Sequence, residues 1–342
     1  MKVKIKIGNE VKEYTGAWKD HTLLEVFQEL GITQVHAPCG GNGTCKKCLV
    51  TVEGLGEVLS CQTQCKDGMC VTVAEEQKSA IAENGNCYLY PADAGEGLLA
   101  ACDIGTTTVV CHLLDGATGV RLCTVSAPNA QRSFGADVIS RIQASVDSGL
   151  DKLQSAIVDQ INGMLVQLKQ KAGRTEDIRR LAVAGNTVMS HLFCGLSPES
   201  IGVAPFTPLS LFGESYDAKQ IGIEGCETVY VVPSIAGYVG GDIVADLAAV
   251  QMHSSVLAED GEKETLMLDI GTNGEMVLGK SGSYVCCATA AGPAFEGAEI
   301  AMGMPAASGA ISKVWLENGK ICCSTINDAP AVGICGSGLI DA

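Results

Sequence analysis

The chain has 342 residues, of which 46% are apolar and 18% are charged, and its formal net charge is −16. At about 100–200 residues per domain, this length predicts two or three domains with ample core. The negative charge argues against a general binder of nucleic acid or anionic membranes, because such contacts need concentrated Lys and Arg. The chain shows neither a transmembrane run nor a signal peptide, so we expect a cytoplasmic protein.

The chain contains 17 cysteines, which is unusual without a predicted signal peptide. A disulfide scaffold would require an oxidising compartment and usually a small domain. The composition therefore favours a reducing cytosol in which some cysteines bind metal. We expect the remaining cysteines to be mainly small buried hydrophobic residues.

Residues 1–74 read as one domain. Alternating polar and apolar residues on either side of Gly8-Asn9 predict a β-hairpin. Thr22-Leu-Leu-Glu25 matches a capping box that opens a helix. A loop rich in glycine and cysteine, residues 36–48, and two further strands follow. Hairpin, helix, loop and strands in this order indicate a β-grasp domain of the α+β class.

Residues 75–97 read as a polar linker, and from Leu98 strands alternate with helices, which predicts an α/β domain. The first strand runs into Asp103-Ile-Gly-Thr-Thr-Thr108. The same pattern returns as Asp269-Ile-Gly-Thr-Asn273 at the end of a later strand. This repeat predicts an internal duplication, with half-domains at 98–263 and 264–342.

Three cysteines fall within the loop 36–48, and further cysteines follow it. A [2Fe–2S] cluster needs four thiolates, and a glycine-rich loop allows three of them to converge. Zinc is the alternative metal that such a cysteine pattern could bind. Spacing alone leaves the fourth ligand open among Cys61, Cys65 and Cys70. The candidates that fit C-x5-C-x2-C-x12-C are Cys39, Cys45, Cys48 and Cys61.

The two Asp-Ile-Gly-Thr turns carry the chemistry needed to hold nucleotide phosphates. Glycine allows close approach, while successive N–H groups and Thr hydroxyls donate to phosphate oxygens. Asp103 and Asp269 can hold Mg²⁺, usually through water. A third glycine turn opens a helix and suits the adenosine end or the α-phosphate. The candidate ligands are Gly105, Thr106, Thr107 and Thr108; Gly271, Thr272 and Asn273; and Gly333, Gly336, Ser337 and Gly338.

Three further polar residues have two interpretations each. Asp242 begins a predicted helix, where it either caps the helix or polarises an attacking water molecule. Asn186 follows a strand and either faces the cleft or caps the next helix. Glu296, in a glycine loop, is a candidate for binding the ribose.

These turns resemble the ATPases of the actin, sugar-kinase and heat-shock-chaperone superfamily. Asp103–Thr108 matches the phosphate-1 motif, Asp269–Glu275 matches phosphate-2, and Gly333–Gly338 matches the adenosine motif. More narrowly, nearly the whole chain resembles the reductive activators of corrinoid proteins. The further matching segments are Cys39–Cys48, Leu59–Gln62, Phe134–Arg141, Gly185–Thr187 and Gly292–Gly297.

The resemblance implies a ferredoxin-like β-grasp domain followed by an actin-like ATPase domain made of two duplicated RNase H-like halves. Because Leu59–Gln62 aligns with the family's fourth cluster ligand, Cys61 becomes the preferred choice. The implied cofactors are a [2Fe–2S] cluster and ATP with Mg²⁺. The second half spans only 264–342, so we expect a fragment that lacks about the last third of the ATPase domain. Such a fragment would have an open nucleotide pocket and be inactive alone.

The activity that the resemblance implies is ATP-dependent reductive activation, which returns Co(II) of a corrinoid protein to Co(I) for methyl transfer in anaerobic metabolism. The implied partners are a corrinoid iron–sulfur or methyltransferase corrinoid protein and a reduced donor such as a ferredoxin. A homodimer is a further candidate assembly. The alternatives are a small-molecule kinase, an activator of another low-potential enzyme, or an electron carrier with a nucleotide-sensing domain.

Overall fold

A computed structural model describes most of the chain. The described residues are 1–8, 10–32, 34–35, 37, 41, 43, 48–74, 95–253, 264–271, 273–280, 283–289, 302–304, 306, 308–317 and 319–342. Most of the linker predicted at 75–97 lies outside these ranges.

The N-terminal domain is a five-stranded mixed sheet with one helix, as expected for a β-grasp fold. The strand order is β2-β1-β5-β3-β4, with β1 parallel to β5 and the remaining neighbours antiparallel. Its elements are β1 Lys2–Ile7, β2 Glu10–Thr15, α1 Leu23–Glu29, β3 Leu49–Val52, β4 Gly56–Leu59 and β5 Met69–Val73. The strand β4 is absent from the sequence-based expectation, because its residues lack a clear apolar alternation.

The helix α1 begins where the sequence predicts it. Thr22 and Glu25 form a complete capping box, in which the side chain of each accepts from the backbone N–H of the other. The buried face of α1, including Val26 and Phe27, packs with Val3 and other sheet residues into one core. The apolar alternation of the sequence therefore accounts for the packing of this domain.

Residues 98–253 form a second unit around a six-stranded sheet ordered β10-β11-β9-β6-β7-β8. The strands β6, β7 and β8 are an antiparallel meander, whereas β6, β9 and β11 are parallel. This is the topology expected of an RNase H-like half. The elements are β6 Leu98–Ile104, β7 Thr108–Asp115, β8 Arg121–Pro128, α2 Val138–Ala144, α3 Leu150–Ala172, β9 Ile178–Gly185, α4 Thr187–Cys194, β10 Ser215–Asp217, α5 Ala218–Ile221, β11 Cys226–Val231 and α6 Gly241–His253.

The long helix α3 covers one face of this sheet. Its predicted apolar stripe, which includes Leu153, Ile157 and Leu168, is fully buried in the core of the unit. The sheet is thereby fixed against α3, which gives the turn after β6 a rigid support.

The remaining described residues begin with a second antiparallel meander. The strands β12 Thr265–Ile270, β13 Gly274–Lys280 and β14 Ser283–Thr289 form one sheet in that order. The strands β15 Ala310–Glu317, β16 Lys320–Thr325 and β17 Gly333–Ile334 form another, followed by α7 Gly336–Asp341. The meander β12-β13-β14 repeats β6-β7-β8, as the duplicated sequence pattern predicts.

Within the described residues, no helix combines the length and apolar character needed to cross a membrane.

Candidate functional site

Two of the predicted cluster cysteines, Cys48 and Cys61, lie side by side at one edge of the β-grasp sheet. Cys48 immediately precedes β3, and Cys61 follows β4 in a short 3₁₀ turn. Because β3 and β4 pair antiparallel, the two cysteines meet, and their sulfur atoms are 3.2 Å apart. A metal bound tetrahedrally by thiolates about 2.3 Å away holds adjacent sulfurs about 3.8 Å apart. The pair therefore fits two thiolates on one metal ion, while Cys39 and Cys45 lie outside the described residues.

The surroundings of Cys61 suit a thiolate ligand. The backbone N–H of Gly43 and the side-chain amide of Gln62 both donate to its sulfur. Burial and the neighbouring Cys48 thiol raise the pKa of Cys61 to about 11, whereas these two donors lower it. Gly41 and Gly43 have positive φ, which allows the loop to fold closely over the sulfur atoms. Hydrogen bonds to cysteine sulfurs tune the reduction potential of an iron–sulfur cluster, and these two donors would act in that way on Cys61.

The structure distinguishes Cys61 from the two competing cysteines. Cys65 is buried, and its N–H donates to the carbonyl of His21. Its electrostatic neighbours are the N-terminal amine and Asp67, and burial raises the pKa of its thiol. Cys70 lies within β5. Cys61 is thus the one of the three that hydrogen bonds to Cys48.

The turn between β6 and β7 is held from its inner side. A Cβ atom added to Gly105 would lie 2.7 Å from the carbonyl oxygen of Thr108, so this position requires glycine. Asn129 donates from its side chain to the carbonyl of Gly105 at 2.7 Å and from its backbone to that of Thr107 at 2.9 Å. The carbonyl of Thr106 accepts from Arg141.

These three carbonyl contacts orient the donors of the turn. Across a planar trans peptide the C=O and the following N–H point in opposite directions. The N–H groups of Thr106, Thr107 and Thr108 are therefore directed away from Asn129 and Arg141. Successive N–H groups that face one way form an anion-binding concavity.

Thr106 is positioned differently from the expectation that its side chain faces phosphate. Its side chain is buried, and its hydroxyl oxygen accepts from the side-chain amide of Asn186 at 3.0 Å. Asn186 also caps α4 by accepting from the N–H of Met189. Asn186 therefore caps the helix and also contacts the turn, while its facing the nucleotide cleft stays a prediction.

Five carboxyl groups, which we call the carboxylate cluster, interact electrostatically beside this turn. They come from both duplicated halves, and none forms an ion pair within the described part of the chain. Within the described residues, no three of these groups are placed to hold a metal ion by themselves. When ionised, they would attract a cation that a bound ligand brings with it. The members of the cluster are Asp103 at the end of β6, Asp242 and Asp246 on α6, Asp269 at the end of β12 and Glu275 on β13.

The cluster resists ionisation. Although Asp103 is partly accessible, desolvation, followed by nearby Asp242, Asp246 and Asp269, raises its pKa to about 7. Burial and the same neighbouring charges raise the pKa of Glu275 to about 7. The side chain of Asp246 is exposed, and partial desolvation together with Asp269 and Asp242 raises its pKa to about 6. Deprotonation of these groups without a cation accordingly costs free energy.

The second hairpin is more open than the first. Asp269 lies directly opposite Glu275 in the β12–β13 register, and the N–H of Gly271 donates to the carbonyl of Asn273 at 2.9 Å. A Cβ added to Gly271 would meet its nearest neighbour at 3.7 Å, so a side chain is sterically allowed there. Thr272 lies outside the described residues.

Asp242 does more than cap its helix. It is the second residue of α6, and one carboxylate oxygen accepts from the N–H of Ile243 at 2.9 Å. Burial and the charge of Asp269 raise the pKa of its carboxyl group. A Cβ on Gly240 would lie 2.4 Å from the Cα of Asn186, so glycine lets α6 begin beside the first hairpin.

The third glycine turn opens a helix, as predicted, but two of its glycines have packing roles. A Cβ on Gly333 would lie 2.7 Å from the carbonyl oxygen of Met302, and one on Gly338 would lie 2.2 Å from that of Ile311. Gly336 begins α7, and the exposed Ser337 lies 3.4 Å from the sulfur of Cys335. Nucleotide contacts by this turn stay a prediction, and Glu296 lies outside the described residues.

Sequence reasoning assigned no role to four residues of this region, although Glu275 and Arg141 end segments that carry the family resemblance. Asp246 follows Asp242 by four positions, a spacing that places both on one helix face and was available as a signal. Glu275 is recognisable only from its pairing with Asp269, and Asn129 and Arg141 only from long-range contacts.

The N-terminal domain contacts the region of the first hairpin. The side-chain amide of Gln28 on α1 donates to the carbonyl of Ser133 at 2.8 Å. Ser133 ends the short 3₁₀ segment that starts directly after Asn129. A single short segment thus joins the ferredoxin-like domain to the first hairpin.

Fold and site together define a ferredoxin-like iron–sulfur domain joined to an actin-like ATPase fold, and three family models match the chain in this sense. A 2Fe-2S iron–sulfur cluster binding domain matches residues 12–76. The RACo middle region matches 98–255, and the C-terminal ASKHA domain of RACo matches 263–342. The chain belongs to the reductive activators of corrinoid proteins.

Individual relatives agree with this membership. The corrinoid activation enzyme RamQ of Eubacterium limosum is 34% identical, over 93% of this chain and 68% of that protein. The [Co(II) methylated amine-specific corrinoid protein] reductase of Methanosarcina barkeri is 29% identical, over 63% of this chain and 40% of that protein. A solved structure, the reductive activator for corrinoid,iron-sulfur protein, aligns with 99% of this chain and 71% of its own, at 31% identity and a TM-score of 0.63.

Glu275→Gln should stabilise the protein at alkaline pH. The folded state binds the Glu275 proton more tightly than the unfolded state, so stability falls as pH rises from about 4.5 to about 7. With a chelator present to remove metal ions, the free energy of unfolding of the variant should exceed that of the wild type by about 1–3 kcal/mol at pH 8 and by almost nothing near pH 4. Thermal unfolding across this pH range measures the effect, with exposed Glu317→Gln as control. An equal effect at both ends of the range would contradict it.

The variants Cys61→Ser and Cys65→Ser should show that Cys61 is a cluster ligand and that Cys65 is a core residue. Cys61→Ser removes the sulfur adjacent to Cys48 and should abolish the [2Fe–2S] EPR signal of the reduced protein and lower its iron content. Cys65→Ser should keep both, at a stability cost of about 1–3 kcal/mol for a buried hydroxyl. Loss of the signal in the Cys65 variant alone would reverse the assignment.

Proposed function

We propose that this protein reductively activates a corrinoid protein in the cytoplasm, transferring one electron to Co(II) to regenerate Co(I) while hydrolysing ATP. The observation that carries the proposal is the carboxylate cluster, which is shared between two Asp-x-Gly-Thr hairpins in a chain that also brings two candidate cluster thiols within 3.2 Å. Family membership supports the corrinoid protein as partner.

The iron–sulfur site would be held by Cys39, Cys45, Cys48 and Cys61. When bound, a [2Fe–2S] cluster supplies one electron at a time. The chain contributes the N–H donors of Gly43 and Gln62, which stabilise negative charge on the Cys61 sulfur. Burial of Cys48 and Cys61 keeps water from the inner side of the site.

The nucleotide would lie between the two hairpins. Thr106–Thr108 would donate N–H groups to one part of the triphosphate, and Gly271–Asn273 to another. Asp103 and Asp269 would face the Mg²⁺ ion, which neutralises phosphate charge when bound. Asp242, with one oxygen on the N–H of Ile243, is positioned to orient the attacking water. Residues 98–263 and 264–342 would thus act as two halves of one ATPase domain.

ATP hydrolysis would supply the free energy that the reduction of cobalt requires. Reduction of Co(II) to Co(I) is uphill for ordinary donors, and each 59 mV of a one-electron step costs about 1.4 kcal/mol. ATP assists only if it binds the two conformations of the activator unequally. The electron itself would come from a reduced donor such as a ferredoxin, and ATP would leave as ADP and phosphate. The net charge of −16 suits a partner with a basic docking face.

The test is anaerobic reduction of a corrinoid protein encoded beside this one. With reduced activator and ATP, the Co(II) absorbance should fall and the Co(I) absorbance should rise. Replacement of ATP by ADP should prevent this. Asp103→Asn and Asp269→Asn should slow the step by about 100-fold or more, because both remove charge at the nucleotide site. The exposed Asp159→Asn on α3 is the matched control.

Two results would contradict the proposal. Reduction that proceeds equally without ATP would indicate a plain electron carrier. Release of ADP that requires a small-molecule acceptor and no corrinoid protein would indicate a kinase.

A further inference from the structure

Arg141 is an unusual residue for the interior of a protein. It lies on α2 and is the largest of the fully buried side chains, with no measurable exposure. None of the carboxylates in the described ranges forms an ion pair with it. A buried charge without a counter-charge is expensive, so the position calls for a compensating role.

All three acceptors of the guanidinium are neutral. Nε donates to the carbonyl of Gly135 at 3.0 Å, Nη1 to the sulfur of Met189 at 3.0 Å, and Nη2 to the carbonyl of Thr106. Burial lowers the pKa of Arg141 to about 9, which leaves the group charged at neutral pH. Neutral acceptors satisfy the hydrogen bonds, and the positive charge is balanced in part by the exposed carboxylate of Asp137, which caps the same helix.

One of these acceptors belongs to the first hairpin. The Thr106 carbonyl and the Thr107 N–H share one peptide group and point to opposite sides of it. A cation on the carbonyl side polarises the peptide and strengthens the donor on the other side. The charge of Arg141 therefore acts one peptide away from the place where an anion would bind.

Asn129 acts beside Arg141 on the same side of the turn. It is 1% exposed and holds the carbonyls of Gly105 and Thr107, so that three consecutive carbonyls are fixed from behind. The carboxylate cluster includes Asp103, which lies at the end of β6 just before the turn, and when ionised it would repel phosphate. A buried cation behind the turn offsets that repulsion locally.

We propose that Arg141 is a positioning residue for nucleotide phosphate: it fixes the Thr106 carbonyl, and a phosphate bound to the opposite face of the turn balances its charge. The inference rests on the proposed function, because it concerns the same nucleotide site. It assigns Arg141 to the phosphates and not to the adenosine part of the ligand.

The test compares ATP, ADP and adenosine binding to the whole protein by calorimetry in the presence of Mg²⁺. Arg141→Gln keeps a side-chain donor but removes the charge. It should weaken the affinity for ATP and ADP by about 20–100-fold, while the affinity for adenosine should change by less than about twofold. Arg141→Lys keeps the charge but loses the planar set of guanidinium donors, and should weaken the affinity for ATP by only about 3–10-fold. Arg180→Gln, an exposed arginine on β9, is the control.

The outcomes separate this inference from the proposed function. If wild type binds ATP and Arg141→Gln binds it equally well, the inference fails and the proposed function stands. If Arg141→Gln weakens ATP and adenosine by the same factor, Arg141 is structural and the inference is overturned. If wild type binds no nucleotide, both fail. Melting temperatures without nucleotide establish folding, and the lysine variant decides the matter if the glutamine variant does not fold.

Discussion

Three consecutive backbone carbonyls, at Gly105, Thr106 and Thr107, accept hydrogen bonds from the interior of the protein, and much of the surrounding structure serves to provide their donors. Asn129 follows β8 and supplies two of the donors, while Arg141 on α2 supplies the third. The sheet below and α3 behind it hold β6 and β7 in place. The result is a turn whose N–H groups face outward before any ligand arrives, which reduces the cost of ordering the site on binding.

Charge is distributed unevenly around this turn. The pKa values of the five carboxyl groups in the carboxylate cluster are raised, chiefly by desolvation and for four of them also by the charges of their neighbours. Arg141, which is buried without a directly paired carboxylate in the described ranges, donates to a carbonyl of the turn. A ligand that carries both divalent cation and phosphate satisfies the two sides at once, which neither a bare cation nor a bare anion does. A metal–nucleotide complex is therefore the ligand that we propose for this site.

Local patterns predicted much of this fold. The capping box at Thr22, the apolar stripe of α3 and the repeated Asp-Ile-Gly-Thr turns are all short-range features, and each is found where expected. Residues that act through long-range contacts were not predictable. The choice of Cys61 next to Cys48 depends on the pairing of β3 with β4, and β4 carries no clear signal. Similarly, Arg141 precedes no recognisable turn, and only the packing of α2 places it behind Thr106.

If the two hairpins form one nucleotide site, a bound nucleotide should protect both of them. Hydrogen–deuterium exchange measures this protection. Exchange of the whole protein would be followed by mass spectrometry with and without Mg²⁺ and ATP. The account predicts slower exchange of residues 103–108 and of residues 269–275 together, with β1–β5 unchanged. Slower exchange in only one hairpin, or in neither, would contradict it.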